Sequence, residues 1–159
     1  MTKVIKSNKD RYYYDTDVTM TEFFGSAVDL GTGGYCRVDA KENDDFIWLR
    51  INIVFGTSMS IGTLPLTIKA SDLPVTVPNY GEQVPMPGNF GAVSTSGGGN
   101  QMYAPALNNI AGFGNCILFF SEYGASFTAY LMGSAATHPP VEGSVYFGTI
   151  TIPKMTMGS

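Results

Sequence analysis

The chain has 159 residues, of which 44% are hydrophobic, and its formal net charge is −4. This length suits one domain with a sizeable core, and no run approaches the roughly 18 apolar residues that a membrane-spanning helix requires. Between positions 51 and 153 only five residues are charged. A nucleic-acid surface needs clustered lysine and arginine, so neither nucleic acid nor membrane insertion is expected.

The N-terminus predicts a basic arm over residues 1–12, followed by a single domain over residues 13–159. Lys3, Lys6, Lys9 and Arg11 supply four of the nine positive charges. The first residues contain no apolar core of a secretory signal peptide, so we expect a protein made in a cytoplasm. The clustered charge makes the arm a candidate for attachment to a larger particle.

Alternation of apolar and polar residues with period two predicts strands along most of the chain. Segments rich in Gly, Ser, Asn and Asp separate these strands at 30–34, 41–45, 55–62, 121–124 and 141–144. The predicted strands include GYCRV, FIWLRINIVF at 46–55, and runs at 64–69, 115–121, 126–132 and 145–152. We therefore predict an all-β protein, an antiparallel β-sandwich of jelly-roll type.

The strand at 46–55 has two contrasting faces. Ile47, Leu49 and Ile51 begin an unbroken apolar row that predicts a core face. Phe46, Trp48 and Arg50 lie on the other face and leave two interpretations open. They pack against another sheet of the same chain, or they form an interface with another copy, where aromatic residues and arginine are enriched.

Residues 77–109 interrupt the alternation with four prolines and six glycines. We predict a long loop here, because segments of this length without regular structure are usually functional or mobile. Its aromatic rings and amides are of the kind that binds sugars. The candidate receptor-binding residues are Tyr80, Asn89, Phe90, Asn100, Gln101 and Tyr103.

No pattern of catalytic or metal-binding residues was found, so neither enzyme activity nor a cofactor or metal is expected. His138 is the only histidine and precedes two prolines in a loop-like stretch. The acidic groups at 15–17 and 42–45 lack the spacing of an EF-hand and fit solvated turns. Cys36 and Cys116 are interpreted as unpaired core thiols, although their spacing leaves a disulfide open.

Three stretches carry a resemblance to a known family: residues 3–23, WLRINIVFGTSMSIGTLPLTIKASDLPVTVPN at 48–79, and HPPVEGSVYFGTITIPK at 138–154. Together they resemble the C-terminal head domains of tail-fibre or minor tail proteins of siphophages, notably those infecting actinobacteria. Ser144 stands where the pattern has an aspartate, and residues 1–12 show no coiled-coil or collagen-like pattern.

The resemblance implies a virion protein, made in the host cytoplasm, that assembles as a homotrimer and contacts other virion proteins. Its expected function is binding of a glycan on the host cell surface. The alternative is a capsid decoration or head-fibre protein that grips the particle through the basic arm. The third alternative is a glycan depolymerase, whose catalysis would require His138 or the acidic groups.

Overall fold

The computed structural model describes residues 9–22, 26–62, 66–78, 84–85, 88–93, 100–110, 114–121 and 140–154. These residues form strands, with one short 3₁₀ helix at Ala70–Asp72 among them. The strands are β1 (Arg11–Asp15), β2 (Thr21–Glu22), β3 (Tyr35–Glu42), β4 (Phe46–Val54), β5 (Leu66–Lys69), β6 (Val84–Pro85), β7 (Gly88–Val93), β8 (Asn100–Ile110), β9 (Gly114–Ser121) and β10 (Val145–Pro153). The predicted all-β class is confirmed.

All pairings between these strands are antiparallel. The strands follow the order β1-β3-β4-β10-β7-β8-β9-β5-β2, and β6 pairs with β8 beside this path. Strand β9, which corresponds to the strand predicted at 115–121, lies between β8 and β5. Strand β10 joins β4 to β7 and so brings the end of the chain into the middle of the sheet.

The predicted core face of β4 is confirmed, since its burial alternates with period two. Ile47, Leu49, Ile51 and Ile53 are almost completely buried. They belong to one apolar cluster with inward residues of β3 and β10. Each such side chain contributes on the order of 2 kcal/mol by leaving water, so this cluster fixes the register of the three strands.

Leu66 and Ile68 of β5 belong to the same buried cluster, although β5 lies four strands from β10 in the sheet order. Met20 and Val75 extend the cluster from segments outside the long strands. The path of strands therefore curves back so that its two ends share one core. Whether this curved sheet is a β-sandwich of jelly-roll type stays a prediction.

Side-chain and backbone hydrogen bonds build the turns that the sequence predicted. The Asn43 Oδ1 accepts the backbone N–H groups of Asp45 and Phe46 at 2.8 and 2.9 Å and closes the β3–β4 hairpin. Gly143 adopts a φ of 81° before β10, a value that glycine tolerates without strain. Ser144, the departure from the phage pattern, is buried, and its Oγ accepts the Val141 N–H at 3.2 Å.

Two boundaries differ from the prediction. The segment 77–109, expected as a loop, contains β6, β7 and most of β8. Pro105, which has no N–H to donate, lies between the β8 residues that pair with β7 and those that pair with β6. The basic arm also ends earlier than expected, because β1 begins at Arg11. The predicted strand at 126–132 lies outside the described residues.

A candidate binding face on the outer side of the sheet

Strands β1, β3, β4 and β10 present one side to the core and the other to solvent. We call the solvent side of these four strands the outer face. It is formed by every second residue, those that alternate with the buried residues of each strand. The antiparallel registers then set which outer residues are neighbours across the strands.

All large hydrophobic side chains that are exposed in the described part of the chain lie on the outer face. Their exposed fractions range from 38% for Tyr35 to 74% for Tyr14. The set is Tyr12, Tyr14, Tyr35, Phe46 and Phe147. Single exposed aromatic residues need no explanation, but five on one side of one sheet mark a surface that binds something.

Charged and polar residues lie between these aromatic rings in defined rows. Tyr14, Asp39, Arg50 and Thr149 are successive partners across the four strands. The next row places Arg37 opposite Asn52, and Asn52 opposite Phe147. Directly opposite residues in such ladders have Cβ atoms about 4.5–5.5 Å apart, so neighbouring side chains in these rows are in contact range.

One carboxylate holds two guanidinium groups at the centre of the outer face. Arg37 Nη2 donates to Asp39 Oδ1 at 2.9 Å, and Arg50 Nη2 donates to Asp39 Oδ2 at 2.9 Å. The hydrogen bond from Arg37, joined by that from Arg50, lowers the pKa of Asp39 below its usual value despite partial burial. The cluster keeps one net positive charge, because two cations share one anion.

A shallow concavity of about 640 Å³ adjoins this cluster. Tyr35 and Phe147 flank it, and Arg37, Arg50 and Thr149 also line it. The Asn52 side chain donates through Nδ2 to the Tyr35 hydroxyl at 3.3 Å. Its Oδ1 is buried and has no hydrogen-bond partner. An unsatisfied acceptor of this kind is uncommon in folded proteins and calls for an explanation.

A second concavity, of about 450 Å³, lies at the Trp48 end of the outer face. The Lys41 ammonium lies 5.0 Å from the Trp48 ring centroid, within range of a cation–π interaction. Phe46 packs beside Trp48 with 5.7 Å between ring centroids. Asp39, Arg50 and Thr149 line both concavities, so the two form one continuous surface.

The predicted oligomer-interface residues lie together on the outer face. Phe46 is exposed, and the Arg50 side chain is 71% exposed, whereas Trp48 is half-buried. The strand alternation places all three residues on the side opposite the core, with Phe46 and Arg50 exposed. Whether this side contacts another copy of the chain stays a prediction.

The predicted receptor-binding residues lie in β7 and β8, except Tyr80, which lies outside the described residues. The register places Phe90 opposite Gly148 and Tyr103, and Asn89 opposite Thr149. Gln101 is opposite Ala92, and Asn100 is opposite Val93. Whether these residues form one binding site stays a prediction.

The basic arm is described only from Lys9, which is exposed; Lys3 and Lys6 lie outside the described residues. Arg11 is not a free charge, because its Nε lies 3.3 Å from Glu42 Oε1. Glu42 also accepts hydrogen bonds from Tyr13 Oη at 2.8 Å and Lys154 Nζ at 2.7 Å. Glu42, which belongs to the predicted acidic turn, thus forms hydrogen bonds that connect β3 with β1 and with the residue after β10.

The remaining chemical candidates are structural where they are described. Asp15 accepts the Asp17 N–H at 2.9 Å, a local turn contact. Cys36 is a buried free thiol, and burial with the nearby Asp15 and Asp17 charges raises its pKa to about 12. His138 and the side chain of Cys116 lie outside the described part. Within that part, no group of three or more potential ligands could hold a metal ion.

Sequence reasoning missed most of the outer face. Tyr12 falls in the predicted arm and Tyr14 in the predicted domain, and neither tyrosine, nor Arg37 or Asp39, is among the predicted site residues. A signal was present, since Cys36 and Val38 alternate with Arg37 and Asp39 and thereby place the charged pair on the solvent side. Reading YCRVDAKE with period two would have found both.

Comparisons with protein-family models, with curated proteins and with solved structures found no match. Among the described residues, no helix has the length and hydrophobicity to cross a membrane. The outer face is therefore interpreted from its own chemistry.

Proposed function

We propose that this chain is a non-enzymatic phage virion protein that binds a glycan on the host cell surface through the outer face. One observation supports the binding role: all exposed large aromatic side chains of the described chain lie on that face. The phage and virion part rests on the resemblance of residues 3–23, 48–79 and 138–154 to siphophage head domains.

Aromatic rings interleaved with planar polar groups suit a saccharide. A pyranose ring presents C–H groups that pack on the face of Tyr or Phe, and water leaves both surfaces. Its hydroxyls need donors and acceptors at fixed positions, which Arg37, Asp39, Arg50 and Asn52 supply beside the rings. A protein partner held by apolar contact alone would leave Asn52 Oδ1 without a hydrogen-bond donor and would supply no acceptor to the two arginines beyond Asp39.

The test is adsorption of the purified protein to a glycan array and to host cells. We expect retention on a saccharide class, and loss of at least about tenfold in apparent affinity for Tyr12→Ser or Phe147→Ser, because aromatic anchors carry much of a binding free energy. Thr76→Ala, an exposed change away from the outer face, is the control and should bind as the unaltered protein does. Equal binding by all variants would reject the outer face as the site.

A homotrimer contact is the second candidate for part of this face. It is favoured by Phe46 and Trp48, which pack together at the end distant from Phe147. Light scattering should then give about three times the chain mass of 17.1 kDa, and Trp48→Ala or Arg50→Glu should give monomers. A monomeric unaltered protein would remove this candidate while leaving glycan binding open.

A further inference from the structure

The two arginines at the centre of the outer face each keep donors available for a ligand. Arg37 and Arg50 both direct Nε and Nη2 towards Asp39, at 2.9–3.3 Å. The Nη1 of each has no hydrogen-bond partner among the described residues. Guanidinium groups recognise oxyanions through paired N–H donors. Asp39 therefore holds both arginines in place and leaves the N–H donors on their Nη1 atoms available for a ligand.

The local charge complements an anion. The chain as a whole carries −4, whereas the Arg37–Asp39–Arg50 cluster carries +1. Among the described residues, no other charged side chain lines the concavity next to it. A ligand with one negative charge would neutralise the cluster there, and a cationic ligand would meet two guanidinium groups.

The aromatic walls set the distance between the anion and the rest of the ligand. Phe147 is a diagonal neighbour of Arg50, and Arg37 shares the row of Phe147 two strands away, with Asn52 between them. Diagonal positions are about 7–8 Å apart. The long arginine side chains cover part of this distance, so an anionic group bonded directly to a ring on Phe147 lies within their reach.

Building on the proposed function, we propose that this concavity binds a hexuronic acid unit of a polysaccharide. Its carboxylate lies on the Nη1 sides of Arg37 and Arg50, and its ring packs between Tyr35 and Phe147. A ring hydroxyl supplies the donor that Asn52 Oδ1 lacks, after a small rotation of the amide opens that atom. The ligand class is thus an acidic glycan rather than a neutral one.

The test is isothermal titration of the purified full chain with a galacturonic acid oligosaccharide and with a neutral galactose oligosaccharide of equal length. We expect tighter binding of the acidic probe, weakened by added salt. Arg50→Gln or Arg37→Gln should each reduce its affinity by about tenfold or more, because each variant loses a charge-assisted hydrogen bond to the carboxylate. Lys9→Gln removes the same charge at an exposed site away from the concavity and should leave the affinity unchanged.

Each outcome decides between the two proposals. Equal affinity for both probes, or equal loss in Arg50→Gln and Lys9→Gln, would overturn the acidic-glycan inference. If Phe147→Ser still abolished binding of the neutral probe, the proposed glycan-binding function would survive that failure. Absence of binding to either probe would overturn the inference, and absence from the whole glycan array would overturn the function as well. Circular dichroism of both arginine variants checks that they fold.

Discussion

Arg50 and Asp39 are directly opposite each other on β4 and β3, with 2.9 Å between Arg50 Nη2 and Asp39 Oδ2. The Arg50 side chain is nevertheless 71% exposed. Asp39 is bound from its other side by Arg37, so one carboxylate orients two solvent-facing cations. This arrangement fixes long side chains in place before a ligand arrives, which lowers the entropy that binding would otherwise cost.

Replacing Asp39 by Asn should destabilise the protein modestly. Two guanidinium groups would remain next to each other without their shared anion, and each exposed ion pair contributes roughly 0.2–1 kcal/mol. We expect a fall of about 0.5–2 kcal/mol in the free energy of unfolding in urea, smaller at high salt because salt screens the repulsion. The double variant with Arg50→Gln should recover part of the loss. No effect at low salt would show that the cluster is not formed.

Replacing Glu42 by Gln should cost more stability than changing its neighbour Asp44. The Glu42 side chain is 12% exposed and accepts hydrogen bonds from Tyr13 and Lys154, whereas Asp44 is 49% exposed and lies 3.9 Å from Arg11. We expect about 2–3 kcal/mol for Glu42→Gln, since hydrogen bonds to a charged group are lost. Asp44→Asn should change the free energy of unfolding by less than about 0.5 kcal/mol. Equal effects would contradict this assignment.

Stability should fall in acid through Glu42 and Asp39. Burial opposes the charged form of Glu42, but hydrogen bonds from Lys154, Tyr13 and Arg11 outweigh it, and its pKa lies below 4.5. The pKa of Asp39 lies below 3.8, chiefly through Arg37. A carboxyl group whose pKa is lower in the folded state stabilises the fold. Its full contribution to the free energy of unfolding is present when the pH is above its unfolded-state pKa, and that contribution is lost as the pH falls through the folded-state pKa. We therefore expect constant contributions from both groups above about pH 5.5 and a decline towards pH 3.

Glu42→Gln provides the control for that pH dependence. The variant lacks one of the two titrating groups, so its free energy of unfolding should decline less steeply between pH 5 and pH 3 than that of the unaltered protein, by about the difference measured at neutral pH. Parallel curves would mean that Glu42 is not the group responsible.

The Cys36 thiol should be unreactive in the folded protein. Its pKa is raised to about 12, so almost none is thiolate at pH 8, and its side chain is inaccessible. In a Cys116→Ser variant, we expect labelling by iodoacetamide at least ~100-fold slower under native conditions than in urea. Rapid native labelling would place Cys36 outside the core.

The regular alternation of β4 made its core face predictable, and the same pattern in β3 and β10 made the all-β class predictable. Asn43 and Gly143 similarly marked turns that the structure contains. At these positions the local preference for a strand or a turn agrees with the pattern of buried residues, so the sequence alone predicts the structure.

The binding face was less predictable, because it depends on pairing between distant segments. Arg37 and Arg50 meet at Asp39 only through the β3–β4 register, and Phe147 joins them only because β10 pairs with β4. The candidate loop residues were predicted from composition, and they lie in β7 and β8, where strand pairing sets their neighbours. Composition indicates sugar-binding residue types without showing which of them meet.

The most direct test of glycan binding by the outer face uses Trp48, the only tryptophan of the chain, which is half-buried on that face. Titration with neutral and uronic acid oligosaccharides, followed by tryptophan fluorescence, should give a saturable change in emission that Phe147→Ser weakens and Thr76→Ala leaves intact. A ligand that binds the protein with the same affinity in all three forms and leaves the Trp48 emission unchanged would contradict the account.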